Sequence, residues 1–189
     1  PYIVKDFLER LSVSSKSYFY LVVTYGGKPG NIGKEANSIM QKKGTGFYAM
    51  YGVKMVDTYI PMYDASKNEK VESQIDPQIE EIITTIKERR IGDYLKGTVP
   101  VLINKACSFQ YKQVRKTDNL TIDESCIHYG LCVKECPEQA IEIKDHVTFR
   151  KEQCMMCLRC LHHCPVNAIR FKNKDKGQYR GLLWSKKIF

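Results

Sequence analysis

The stretch Cys154-Met155-Met156-Cys157-Leu158-Arg159-Cys160-Leu161-His162-His163-Cys164-Pro165 decides how this chain is read. Its spacing is C-x2-C-x2-C-x3-C-P. Three thiolates in one tight loop can cap three irons of a cubane, while the fourth, a short turn later, faces a second site. Pro165 has no N–H to give and prevents the preceding turn from continuing as helix. Zinc sites pair C-x2-4-C knuckles at a distance and close with four ligands, so a third cysteine inside the run argues against zinc.

Seven of the eight cysteines lie between Cys126 and Cys164. A shift of 28 residues carries Cys126, Cys132, Cys136, Pro137, Ala140 and Ile141 onto Cys154, Cys160, Cys164, Pro165, Ala168 and Ile169. Each copy reads as ligand loop, helical turn, Cys-Pro and a short apolar strand. Such a period marks a duplicated supersecondary unit whose copies bury their apolar faces together. The repeat breaks at Tyr129, which stands where the second copy has Cys157. With crossed ligation, one site takes Cys154, Cys157, Cys160 and Cys136. The other takes Cys126, Cys132 and Cys164 and is one thiolate short. Three readings stay open there: a three-iron cluster, a four-iron cluster whose odd iron carries Tyr129, water or another non-cysteine donor, and a degraded, empty or oxygen-sensitive site. Cys107, 19 residues before Cys126 and outside the loop, is a lesser alternative for the missing thiolate and reads first as a buried small hydrophobe. His128, His162 and His163 read as polar residues beside the clusters.

On these residues, Ser125–Arg170 resembles a bacterial two-cluster ferredoxin with one cysteine of the first motif replaced. The resemblance implies an electron carrier with one [4Fe–4S] cluster and a second, irregular one.

The remaining composition fits a folded, non-secreted protein. The chain has 189 residues, 43% apolar and 27% charged, with 30 Lys+Arg against 21 Asp+Glu and a formal charge of +9. The longest apolar stretch, Tyr18–Val23, is far short of the ~20 residues of a membrane span. The residues from Pro1 form neither a charged n-region nor an apolar h-region, so a cytoplasmic location is expected and disulfides are not. The start at Pro1 reads as a fragment or a processed chain.

The N-terminal half has α/β character. Tyr2–Leu11 places Ile3, Phe7, Leu8 and Leu11 on one helical face. Ser17–Tyr25 is a continuous apolar run, the pattern of a strand buried on both faces of a parallel sheet. A helix is expected over Asn31–Lys43, a strand over Thr45–Met55, an apolar loop over Tyr59–Tyr63, and a helix over Gln78–Arg90 with Asp76 as N-cap and Pro77 at its first position. Helix–strand–helix–strand–helix is half of an open α/β sheet, in which ligands bind at the carboxyl ends of strands.

Thr24-Tyr25-Gly26-Gly27-Lys28-Pro29-Gly30 and Val56-Asp57-Thr58-Tyr59-Ile60-Pro61 make this half similar to flavodoxin-like domains, especially those that precede a two-cluster ferredoxin. Gly177-Gln178-Tyr179-Arg180 fits the same pattern. The resemblance implies that Tyr25, Gly26 and Gly27 border the ring system of FMN. The Ser/Thr-Gly-Asn-Thr phosphate loop of that family has no counterpart here, so FMN is expected only in an intact parent protein.

The expected organisation is α/β plus α+β: a partial flavodoxin-like domain over 1–90, the C-terminal half of its parallel sheet, then a basic, partly helical connector over 91–116. The two-cluster domain follows over 117–172 and a basic tail over 173–189. That tail begins a stretch, from Lys172 on, with six basic residues against one acid. Electron transfer is the expected function. A flavin/iron–sulfur reductase of a small substrate is the alternative, and a basic zinc-binding nucleic-acid module ranks below both. Each cluster with its thiolates carries roughly two negative charges. The holoprotein is then near +5, which points to an acidic redox partner rather than nucleic acid or membrane. Pairing with another copy through the incomplete sheet is a further expectation.

Overall fold

A computed structural model of the chain describes residues 2–14, 16–59, 69–95, 117–172, 178, 179 and 181. They fall into two compact units, one holding residues 2–56 and 69–95, the other 57–59 and 117 onward. Cys107, most of the apolar loop over Tyr59–Tyr63, the connector from residue 96 and most of the basic tail lie outside the described residues.

The first unit is built on a parallel sheet of three strands in the order β1-β2-β3. They are β1 (Tyr20–Tyr25), β2 (Ala49–Lys54) and the short β3 (Gly92–Asp93). Parallel neighbours need a crossover, and α2 (Ile32–Gln41) and α4 (Ile75–Lys87) provide the two crossovers. Helix α1 (Tyr2–Arg10) precedes the sheet and the short α3 (Glu69–Glu72) precedes α4. The β1–β2 register runs from Tyr20 opposite Ala49 to Tyr25 opposite Lys54. β3 joins the other side of β2, with Gly92 opposite Ala49.

Three local expectations change. β1 is covered on one face only: Leu21 packs with Leu8, Ala36 and Met40 of α1 and α2, while Tyr20 and Val22 are exposed. Among the described residues the continuous apolar run therefore reports β-branched and aromatic strand propensity rather than burial on both faces. On α1, Leu8 is buried but Phe7 is exposed, because residues one apart point about 100° apart around a helix. α4 begins at Ile75 after Gln74, so Pro77 sits at the third helical position rather than the first. Its missing N–H falls among the four amides that have no helical acceptor anyway, and the helix starts earlier at no hydrogen-bonding cost. Asp76 in the first turn and Lys87 in the last suit the helix dipole.

The second unit follows the 28-residue repeat. β4 (Leu120–Ile122), α5 (Leu131–Lys134) and β5 (Ile141–Ile143) form the first copy. β6 (Val147–Phe149), α6 (Arg159–His163) and β7 (Ile169–Phe171) form the second. The strands pair crosswise: β4 with β7 and β5 with β6, both antiparallel. Each copy's entry strand is completed by the other's exit strand, so neither copy forms its sheets alone. The apolar core gathers Leu120, Met156, Leu158, Leu161, Ile169 and Phe171.

Residues 57–59, read from sequence as part of the first domain, pack instead in this second unit. The cause is specific: Tyr59 lies against the core around Leu161, and the Thr58 carbonyl is bound by His162.

Candidate metal centre

The repeat extends to backbone conformation. Positive φ occurs at His128, Gly130 and Gln139 in the first copy and at Met156, Leu158 and Asn167 in the second, the same positions after the 28-residue shift. These left-handed residues curl each cysteine loop back on itself, so that Cys154, Cys157 and Cys160, three residues apart in turn, face one cavity, and Cys126 and Cys132, six apart, face the other. Gly130 adopts φ 82 without a Cβ penalty; Leu158 holds φ 60 because its side chain is buried in the core.

After each Cys-Pro pair the chain makes one more turn. Gln139 and Asn167 direct the following amide backward, so Ala140 N–H donates to Cys136 Sγ and Ala168 N–H to Cys164 Sγ, both at 3.2 Å. Both alanines are 0% exposed, and a larger side chain has no space there. Two further amide bonds anchor the loops: Asp123 N–H to the Ala168 carbonyl and Arg150 N–H to the Ala140 carbonyl, each 2.8 Å. Asp123 also pairs with Arg170 at 3.0 Å.

Two cavities result. One is lined by Cys136, Cys154, Cys157 and Cys160, with Leu120 and Ile141 among its apolar walls. The other is lined by Cys126, Cys132 and Cys164, with Ile143 and Val147. Each Cys-Pro cysteine thus lines the cavity of the other copy's loop. Tyr129 borders the three-cysteine cavity, yet it is 71% exposed. Cys157 is exposed and the other six described cysteines are partly buried.

Burial pushes the Cys160 thiol far up, with Cys157 and Cys154 close by adding to it. Burial likewise raises Cys132, with Cys126 and Cys164 contributing. Without a cation these crowded, half-dry thiols favour the neutral form; bound iron reverses that preference. Soft sulfur donors, amides aimed at sulfur and apolar walls are the environment an iron–sulfur cluster requires.

The histidines do more than stand beside the cysteines. Glu135 of the first copy and His163 of the second are equivalent under the 28-residue shift, and they pair directly with each other. Arg159 Nε donates to the same Glu135 oxygen at 3.2 Å. Burial alone would raise Glu135, but these two hydrogen bonds outweigh it and hold its carboxyl below the usual range. His162 is 6% exposed, and burial lowers its pKa. Its Nδ1 accepts from Tyr179 N–H at 3.0 Å, so Nε2 carries the proton toward the Thr58 carbonyl at 2.9 Å. Spacing gave no signal for either role, since each partner lies far away in sequence.

In the first unit, Tyr25 ends β1, with its carbonyl accepting from Met55 N–H at 2.8 Å, and Gly26-Gly27 bend the chain away. The residues expected near a flavin therefore lie at the carboxyl end of a parallel strand. They belong to a different unit from the cysteines.

Residues 125–168 match the family model described as a 4Fe-4S dicluster domain. The chain is 36% identical over 63 residues to an uncharacterized ferredoxin of Methanocaldococcus jannaschii, covering 33% of this chain and 42% of that protein. It is 36% identical over 56 residues to the pyruvate synthase subunit PorD of the same organism, 29% of this chain and 65% of the subunit. A ferredoxin of Pyrobaculum islandicum is 33% identical over 78 residues, 36% of this chain and 73% of the relative. The chain thus spans less than two thirds of the length of the first two of these relatives.

Proposed function

Because this chain belongs to the ferredoxin family and carries its 4Fe-4S dicluster domain over residues 125–168, we propose that its two cysteine-lined cavities hold two adjacent clusters and pass single electrons between them. The four-cysteine cavity (Cys136, Cys154, Cys157, Cys160) would hold a [4Fe–4S] cluster. The three-cysteine cavity (Cys126, Cys132, Cys164) would hold a three-iron cluster. The crossing of Cys136 and Cys164 into each other's cavities is the observation that carries this reading.

Bound clusters supply one-electron oxidation and reduction. The chain's residues do the rest. The crossed cysteines keep the two sites adjacent, which suits rapid exchange. Ala140 and Ala168 donate N–H to the crossing thiolates and stabilise negative charge on sulfur, favouring the reduced state. Leu120, Ile141, Ile143 and Val147 keep water from the cavities. The exposure of Tyr129 supports a site completed by three thiolates and no phenolate.

The first unit we read as the C-terminal half of a flavodoxin-like sheet, supported by three parallel strands in sequential order with a helix in each crossover. Tyr25, Gly26 and Gly27 suit the edge of a flat ring at a strand's carboxyl end. The phosphate loop FMN requires is not among these residues, so FMN does not fit this chain alone.

Iron and acid-labile sulfide analysis with EPR on anaerobically purified protein tests the reading. Both elements are expected, with a three-iron signal in the oxidised state. Tyr129→Cys should convert that signal to a second four-iron cluster, raising iron by about one per chain. Zinc without sulfide would overturn the electron-transfer reading, and an unchanged spectrum in Tyr129→Cys would overturn the three-iron assignment.

A further inference from the structure

Helix α6 is shared by the two cavities: Cys160, within it, lines one and Cys164, just after it, lines the other. Between them sits His162, 6% exposed, with both ring nitrogens engaged by backbone from distant parts of the chain. Nε2 meets the Thr58 carbonyl at 2.9 Å, 104 residues away in sequence. Nδ1 receives Tyr179 N–H at 3.0 Å. Beside it, Gln178 Nε2 donates to the Leu161 carbonyl at 2.7 Å and the Cys164 carbonyl at 2.8 Å. Two strands of chain, one leaving β2 and one following β7, are thereby tied to the few residues that feed both cavities. The equivalent position in the first copy is Lys134, an exposed residue, so this clamp is not part of the duplicated design.

We propose that His162 is a positioning residue for both cavities: by binding Thr58 and Tyr179 it fixes the placement of Cys160 and Cys164, and the segment 57–59 thereby helps set the properties of both clusters. The inference rests on the reading of the cysteines as cluster ligands. Partners one shell out from a metal's ligands typically change affinity about 10- to 100-fold when removed, and the same scale is expected here. Backbone partners cannot be deleted by ordinary substitution, so the histidine itself is the handle.

Three variants separate the two links. His162→Phe keeps the ring and loses both hydrogen bonds. His162→Gln can place an amide N–H near the Nε2 position and keep the Thr58 link. His162→Asn can place an acceptor near Nδ1 and keep the Tyr179 link. In the reconstituted full chain, iron release to a chelator is expected to accelerate about tenfold in His162→Phe. EPR-monitored titration should show the midpoint potentials of both clusters displaced. His162→Gln should recover most of the unaltered protein's behaviour and His162→Asn less, since Thr58 lies in the segment that packs on the core. If His162→Phe does not take up clusters, the comparison of His162→Gln with His162→Asn carries the same measurement, and identical release rates and potentials in those two variants and the unaltered protein would overturn the inference. Unaltered release rates and potentials in His162→Phe would overturn this inference alone. An unaltered protein without iron and sulfide would overturn both it and the reading beneath it.

Discussion

Gly130 and Leu158 occupy the same position in the two copies and solve the same problem differently. Both adopt left-handed φ, 82 and 60 respectively, a region that costs an L-residue roughly 1–2 kcal/mol. Glycine escapes that cost, whereas Leu158 offsets it by burying its side chain in the core. Substitution should therefore act in opposite ways on backbone and packing. Gly130→Ala meets no neighbouring atom and should lose about 1 kcal/mol from backbone strain alone. Leu158→Gly relieves about 1 kcal/mol of strain but forgoes a buried leucine worth about 2–5 kcal/mol, for a net loss of about 2 kcal/mol. Anaerobic denaturant titrations of the holoprotein measure both, and a stabilised Leu158→Gly would contradict the packing account. The need for a left-handed residue is invisible in the sequence at Leu158, since leucine gives no such signal; Gly130 at the equivalent position and Asn167 are of types that adopt that region readily.

Among the elements, β2 is the one on which the first unit depends, being paired on both edges while Ala49, Tyr51 and Val53 are buried. Gly52 interrupts its β-formers for a steric reason. A Cβ there would lie 2.8 Å from Tyr25 Cε1 on the neighbouring strand and 2.8 Å from Leu95 Cδ1. Gly52→Ala must displace the Tyr25 ring or Leu95, and overpacking of this kind costs about 1–3 kcal/mol. A thermal or denaturant midpoint measures the loss, and an unaltered midpoint would contradict the steric account. In the second unit, α5 and α6 are held together by Glu135 with His163 and Arg159, a pairing across the two copies. Strand β3, inside the stretch read as a connector, helix α3 and the entry strands β4 and β6 carried no local signal, whereas α1, α2, α4, β1, β2, the helical turns α5 and α6 and the exit strands β5 and β7 were legible from periodicity and from the repeat. The one-sided covering of β1, the early start of α4 and the cross-pairing of strands were not, because each depends on which neighbour is present rather than on the segment itself.

For the whole molecule, the formal +9 falls to about +5 once two clusters with their thiolates are counted. That surplus should steer an acidic redox partner, and steering is screened over about 10 Å at 0.1 M salt. Stopped-flow electron exchange with an acidic donor protein is expected to slow several-fold between about 20 and 200 mM NaCl; a rate independent of salt would remove the case for an acidic partner. Among the described residues no helix is long and apolar enough to cross a membrane.

The sequence by itself determined the chemistry. The spacing of seven cysteines, the 28-residue repeat and Tyr129 in place of a thiol follow from covalent order, and a cysteine loop is short enough for spacing to imply geometry. The tertiary structure decided what spacing cannot reach. Thr58 and Tyr179 meet at His162, and residues 57–59 join the cysteine-bearing unit rather than the sheet they follow. Glu135 finds His163 across the repeat. These are contacts between residues tens of positions apart, formed only when separate segments bury their apolar surfaces together, and no local pattern encodes which segment will arrive.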